Sequence, residues 1–190
     1  MTSAEIFDAG IPGGTNDFRL VIRLCRETGP YCLIGGVAVN SYVAPVNTED
    51  VDLVIHSARL PELRAKLEGL GFKIQEFPYS VNATLPESKL RIQFTTMPRY
   101  EEFIARAEPR IIWEESVMVA ALADLFQGKL WAAQDPTRRT SKKLKDLTDL
   151  ARIAESYPEF VEKLPPAVRQ LMQSVVSEYP GETPGPKSAG

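Results

Sequence analysis

Residues 31–55, YCLIGGVAVNSYVAPVNTEDVDLVI, contain the pattern that decides the fold. A short apolar run is followed directly by Gly35 and Gly36, and residues 37–43 have the composition of a short helix. After a loop, a second apolar run opens at Asp50. The order strand, glycine turn, helix, strand predicts a mixed α/β core built around a tight turn.

The bulk composition predicts a globular protein with one ordinary core and a helical appendage. The chain has 190 residues, of which 44% are hydrophobic and 25% charged, and its formal net charge is −3. This charge argues against general coating of nucleic acid, although an average over the chain can hide a basic patch. We find no secretory signal and no apolar run long enough to span a membrane, which predicts a cytoplasmic protein.

The two cysteines, Cys25 and Cys32, have neither the spacing of a metal site nor the number that a disulfide framework requires. We expect both to be reduced thiols in the core.

The chain divides by pattern into two halves and a tail. Residues 1–115 interleave strand and helix signals without a regular βαβ period, which predicts an α+β fold with a small mixed sheet. Within them, residues 1–13 have the composition of an extended arm. Residues 116–179 are predicted to form a helical half, which begins near Val117 and packs on the core. Residues 180–190 lack core-forming side chains and are predicted to be disordered.

The second apolar run carries two alternate carboxylates, Asp50 and Asp52. On a strand they point to the same face, with their residues about 6.6 Å apart. Two carboxylates so placed repel unless a cation lies between them, and Mg²⁺ in proteins takes one or two carboxylates together with substrate phosphates. Gly35 and Gly36 would let the backbone approach a phosphate closely. The alternatives are a plain turn and a solvated strand start.

These motifs in this order resemble the nucleotidyltransferase fold of the DNA polymerase beta superfamily, and most of all its AbiEii/AbiGii toxin type. The resemblance implies that Gly35, Gly36 and Thr48 hold a nucleoside triphosphate. It implies that Asp50 and Asp52 are catalytic and bind Mg²⁺ or Mn²⁺, and that a third carboxylate on a later strand completes the site. The reaction implied is transfer of a nucleoside monophosphate to a hydroxyl with release of pyrophosphate.

The third carboxylate is missing, because Gln93 stands where the resemblance leads us to expect aspartate. An amide cannot take a proton from an attacking hydroxyl, and it binds a hard cation more weakly than a carboxylate does. Two hypotheses follow: the protein is an enzyme in which another residue serves as the base or in which the reaction is slow, or it is catalytically silent and binds a nucleotide or a partner. A third is an interaction protein with no nucleotide role.

The segment 129–152 is strongly basic, with seven lysines and arginines against three aspartates. A patch this polarised predicts a site for triphosphate or for the RNA backbone. The alternative is a solvated helix face stabilised by pairs four residues apart, Lys142 with Asp146 and Lys145 with Asp149.

Two motifs in this segment are similar to the second half of the AbiEii-type pattern: L-x-x-G-K, which ends at Lys129, and K-D-x-x-D at residues 145–149. The resemblance implies that Lys129 contacts the nucleotide phosphates, with Arg138 and Arg139 nearby. It also implies that Asp146 is the catalytic or orienting carboxylate. The acceptor is left open between RNA (tRNA included), protein and a small molecule, and a cognate antitoxin is implied as a partner.

Overall fold

The computed structural model describes residues 3–11 and 14–178 and confirms a mixed α+β fold. A single mixed sheet has seven strands: β1 Tyr31–Ile34, β2 Asp50–Ile55, β3 Lys73–Phe77, β4 Ser80–Thr84, β5 Arg91–Thr95, β6 Glu108–Ile112 and β7 Glu115–Val119. The described α-helices are α1 Ser3–Gly10, α2 Gly14–Thr28, α3 Gly35–Asn40, α4 Leu60–Gly69, α5 Leu122–Gln134, α6 Thr140–Ser156 and α7 Pro166–Glu178. Shorter 3₁₀ helices span Ser57–Arg59, Pro98–Arg106 and Pro158–Lys163.

Strand β1 lies in the interior of the sheet, whose order is β3-β4-β5-β2-β1-β7-β6. Leu33 pairs with Leu53 of β2 in antiparallel register and with Val119 of β7 in parallel register. All four residues of β1 are buried, as expected of a strand covered on both faces.

Strands β2, β4 and β5 alternate between buried apolar and more exposed polar side chains. On β2, Val51 and Leu53 are fully buried, whereas Asp50 and Asp52 are partly exposed. Residues that pair across neighbouring strands point to the same face of the sheet. The polar positions of the three strands therefore form one polar face. The two aspartates lie at one side of this face.

The β6–β7 hairpin turns through two residues with positive φ, Trp113 at 46° and Glu114 at 66°. Two-residue hairpins favour this conformation, but a bulky residue rarely adopts it. The Trp113 ring stacks on Phe7 of α1 at 3.8 Å and meets the edge of Phe18 of α2 at 4.8 Å. Aromatic packing therefore stabilises a turn that lacks the usual asparagine and glycine.

Two predicted elements are wrong. The predicted extended arm contains helix α1, whose Phe7 is buried against the core. The predicted helix from Val117 begins only at Leu122, because Val117 and Val119 are buried on β7, which pairs with the rest of the sheet. The predicted disordered tail, residues 180–190, lies outside the described residues.

The chain divides into two compact units, residues up to Leu125 and residues from Phe126 onward. The first contains the whole sheet and helices α1 to α4. The second has its own core, in which Phe126 packs against Phe160 at 4.7 Å and Leu150 and Ile153 are fully buried. Among the described residues, no helix has the length and apolar character that a membrane span requires.

Candidate active site

The glycine turn lies directly against Asp52 and Thr48. Gly35 has a φ of +73°, and a Cβ at this position would lie only 2.1 Å from Asp52 Oδ2. A Cβ on Gly36 would lie 3.3 Å from Thr48 Oγ1. Gly35 is therefore needed both for its backbone conformation and for the close approach of the turn to the aspartate strand, whereas a side chain at Gly36 would require only a small shift of Thr48.

The strand register explains this approach. Ile34, the last residue of β1, pairs with Asp52 of β2, so the turn that follows β1 must pass beside the Asp52 carboxylate. Helix α3 begins at Gly35 with Ile34 as its N-cap, which offers no side-chain hydrogen bond to the first backbone N–H groups. The turn thus presents backbone donors next to a carboxylate.

Strand β5 lies parallel to β2 and supplies the neighbours of both aspartates. Gln93 is in register with Asp52, which is the row in which a third carboxylate was expected. Arg91 is in register with Asp50, and Arg91 Nη2 lies 2.7 Å from Asp50 Oδ1. Arg91 belongs to none of the motifs in the sequence, although its position two residues before Gln93 places it on the same face of β5.

The donor set fits a divalent cation. Asp50 and Asp52 offer hard carboxylate oxygens from one face of β2, and the Gln93 side-chain amide adds a neutral oxygen beside them. Within the described residues, no group of three or more His, Cys, Asp or Glu side chains is arranged to hold a metal ion. A cation held here would take its remaining ligands from substrate phosphate oxygens and water.

The second unit contains a buried ion network around two aspartates. Lys129 Nζ lies 3.1 Å from Asp146 Oδ1 and 2.6 Å from Asp149 Oδ2. Arg138 Nε donates to Asp146 Oδ2 at 2.6 Å, and Arg152 Nη1 donates to Asp149 Oδ1 at 2.6 Å. Asp146 and Asp149 are only 2% and 1% exposed, and Lys129 is 9% exposed. The three sequence-predicted residues Lys129, Arg138 and Asp146 therefore lie together in one network.

The remaining basic residues of this segment are more accessible. Arg139 is exposed, and Lys142, Lys143 and Lys145 are partly exposed on α6. These four residues make the start of α6 strongly basic, whereas Lys129 is enclosed by its two aspartates.

His56, the histidine just beyond β2, takes part in a surface contact. Its Nδ1 lies 3.2 Å from Glu101 Oε2, and the Ser57 backbone N–H donates to Glu101 Oε1 at 2.9 Å. Hydrogen bonding from Ser57, with a smaller contribution from His56, lowers the pKa of the Glu101 carboxyl. This contact joins the start of the 3₁₀ helix after β2 to the 3₁₀ helix that contains Glu101.

Cys25 and Cys32 are free, buried thiols, as predicted. Burial raises the pKa of Cys25 strongly and raises the pKa of Cys32 to about 12. Neither is a nucleophile near neutral pH, because the thiolate is the reactive form.

Several solved structures share the fold of this chain. The antibiotic-resistance factor ANT(2″)-Ia, solved with adenylyl-2″-tobramycin, has a TM-score of 0.55 at 18% identity, over 84% of this chain and 97% of its own. A putative nucleotidyltransferase from H. pylori has a TM-score of 0.54 at 19% identity, over 88% of this chain and 80% of its own. The lincosamide antibiotic adenylyltransferase LnuA has a TM-score of 0.50 at 12% identity, over 71% of this chain and 94% of its own. At these identities the likeness establishes the nucleotidyltransferase fold alone.

The family follows from the sequence itself. Residues 62–183 match the model described as "Nucleotidyl transferase AbiEii toxin, Type IV TA system", and the chain belongs to this family. The matched segment includes Gln93 and the ion network, and it begins after the glycine turn and the aspartate pair. No curated protein sequence matches the chain.

Proposed function

We propose that this protein transfers a nucleoside monophosphate from a nucleoside triphosphate to a hydroxyl acceptor and requires a divalent cation, Mg²⁺ or Mn²⁺. The observation that carries the proposal is the contact of the glycine turn with Asp52. A turn whose backbone N–H groups lie beside a carboxylate suits a triphosphate whose oxygens are shared between backbone donors and a cation.

Each residue of the first unit has a distinct part in this proposal. Gly35 and Gly36 allow the phosphates to approach the backbone, and Thr48 supports the turn from the next loop. Asp50 and Asp52 would hold the cation, which supplies stabilisation of the charge that develops on the phosphoryl oxygens. The acceptor hydroxyl then attacks the α-phosphorus, the bond to pyrophosphate breaks, and the hydroxyl proton leaves to a base.

Gln93 cannot be this base, since an amide does not accept a proton near neutral pH. Asp146 is 2% exposed, and both of its carboxylate oxygens pair with Lys129 and Arg138. We therefore assign it to positioning these cations, with Arg138 and Arg139 as the residues that contact phosphate. The ion network supports different roles for the three basic residues. Lys129 holds Asp146 and Asp149 in place, whereas Arg138 and the exposed Arg139 are the members that a phosphate can reach.

The basic start of α6 favours RNA as the acceptor over a protein or a small molecule. Four cations, Arg139, Lys142, Lys143 and Lys145, lie close together in sequence and are at least partly exposed. Clustered lysines and arginines attract the RNA backbone in a salt-dependent way.

Family membership supports a toxin role. We propose that the chain is the toxin of a type IV toxin–antitoxin pair, acts in the cytoplasm on the nucleoside triphosphate pool, and is opposed by a cognate antitoxin. Induced expression is expected to arrest growth. Asp52→Ala is expected to relieve the arrest, and an arrest that persists in this variant would contradict the proposed chemistry.

The direct test is label transfer. The protein is incubated with Mg²⁺ or Mn²⁺ and with each α-³²P-labelled NTP in turn, in the presence of total RNA, total protein or small-molecule extract. We expect label in the RNA fraction, and we expect Asp52→Ala to abolish it. Asp17→Ala, in helix α2, is the matched control and should transfer normally.

A catalytically silent nucleotide-binding protein is the second candidate, and two observations favour it. Gln93 replaces the expected carboxylate, and Arg91 already pairs with Asp50. For this candidate, NTP with Mg²⁺ raises the thermal midpoint of unfolding but no acceptor is labelled with any metal. A protein with no thermal shift from any NTP would contradict both candidates.

A further inference from the structure

The two aspartates of β2 and the residues that pair with them on β5 together carry little negative charge. Asp50 faces Arg91, and Asp52 faces Gln93, so these four side chains sum to a formal charge of −1. The same rows with a carboxylate for Gln93 and a neutral residue for Arg91 would sum to −3. The difference of two positive charges equals the charge of one divalent cation.

Phosphoryl-transfer sites that hold two metal ions place them about 3.5–4 Å apart, and bridging carboxylates offset their repulsion. Here one carboxylate shares its charge with a guanidinium 2.7 Å away, and the side chain in register with the other is neutral. The described residues include no third carboxylate arranged with these two to hold a metal ion.

We propose that the site takes one divalent cation with the nucleotide rather than two, and that Arg91 with Gln93 replaces the second. Asp50 and Asp52 would hold the single cation together with the triphosphate. The side chain of Arg91 is 60% exposed, so its guanidinium can remain near Asp50 and share the triphosphate oxygens. Arg91 is thus a substrate-binding residue that supplies a permanent positive charge. This inference rests on the proposed nucleotide binding, and its test is designed to fail separately from it.

The experiment counts bound ions without requiring turnover. The full chain is dialysed to equilibrium against Mn²⁺ and the non-hydrolysable α,β-methylene analogues of ATP, CTP, GTP and UTP in parallel. Bound Mn²⁺ is measured by electron paramagnetic resonance, and bound nucleotide by absorbance. We expect one Mn²⁺ for each bound nucleotide in the natural protein.

The paired variant Arg91→Ala/Gln93→Asp restores the charge of −3 and is expected to bind two Mn²⁺ for each nucleotide. If circular dichroism shows that the paired variant does not fold, the number of bound Mn²⁺ ions is measured on Gln93→Asp alone. Arg91→Ala alone is expected to bind Mn²⁺ about two- to fivefold more tightly without nucleotide, as the loss of one exposed cation would allow. Arg64→Ala, which removes an exposed arginine of α4 that pairs with Glu68, is the matched control and should not change Mn²⁺ affinity.

The outcomes are distinct. Two Mn²⁺ per nucleotide in the natural protein, or only one in the folded variants that contain Gln93→Asp, would overturn the single-cation inference and leave the nucleotidyltransferase proposal standing. No binding of Mn²⁺ or of any analogue would overturn both. One ion in the natural protein and two in the restored variant would support the inference.

Discussion

Gly35 and Asp52 are so closely packed that no side chain fits at the glycine. A Cβ at residue 35 would lie 2.1 Å from Asp52 Oδ2 and 2.8 Å from its Cγ. The contact joins the turn after β1 to the carboxylate of β2, two elements that the sequence separates by a helix and a loop.

Gly35→Ala is therefore expected to reduce both stability and nucleotide binding. The substitution forces an L-residue into φ +73° and displaces Asp52, and we expect a loss of about 2 kcal/mol or more in the free energy of unfolding. Urea unfolding and the thermal shift with NTP measure the two effects. Gly69→Ala in α4, where a Cβ meets nothing within 4 Å, is the control and should leave both without loss.

Lys129→Met is expected to destabilise the protein by about 3–5 kcal/mol. The change leaves Asp146 and Asp149 buried with one cation fewer, and the loss of one partner from a buried ion pair is costly. Chemical denaturation measures the loss. Lys143→Met on the partly exposed side of α6 should change stability by less than about 0.5 kcal/mol. Equal effects of the two substitutions would contradict a structural role for Lys129.

The two cysteines should be unreactive in the folded protein. Burial raises the pKa of both thiols, to about 12 for Cys32, so almost no thiolate exists at neutral pH. Ellman's reagent is expected to detect no thiol in native protein and both thiols in guanidinium chloride. Rapid reaction of either cysteine under native conditions would show that the core around α2 and β1 opens readily.

The Glu101 contact predicts a specific loss of stability in acid. Its folded pKa lies below the ordinary value of 4.5, so the carboxylate contributes stability fully above that pH and loses it as pH falls through the folded pKa. The difference in thermal midpoint between the natural protein and Glu101→Gln should therefore be constant well above the ordinary pKa and shrink as the pH falls below it. A difference that grows in acid would refute the assigned contact with Ser57 and His56.

The local pattern around the glycine turn is sufficient to predict the elements that hold the site. Hydrophobic runs bounded by Gly35 and Asp50 predict two strands, and spacing alone places Asp50 and Asp52 on one face. Gln93 lies on β5, and the register of this strand brings it beside Asp52, in the row where the resemblance leads us to expect a carboxylate. The two predicted strands and the placement of the aspartates depend on residues close together in the sequence, and the same strands are present in the fold.

Contacts between residues far apart in the sequence cannot be predicted from local patterns. The sequence predicts helix where β7 lies, because its hairpin turn is made by Trp113 and Glu114, which carry no turn signal, and is held by contacts to Phe7 and Phe18. Helical spacing likewise does not predict that Asp146 pairs with Lys129, since Lys129 lies on α5 rather than on the same helix. In each case tertiary contacts override a local preference.

The position of β1 has a consequence for synthesis of the chain. Leu33 O accepts a hydrogen bond from Ala120 N at 3.0 Å, and β7 is the strand that borders β1 on the side away from β2. As the chain leaves the ribosome, the β7 side of β1 stays unpaired until residues 115–120 have emerged, even though the glycine turn and both aspartates have long been made. The site region therefore gains the second strand neighbour of β1 late in translation, well after both aspartates have been made.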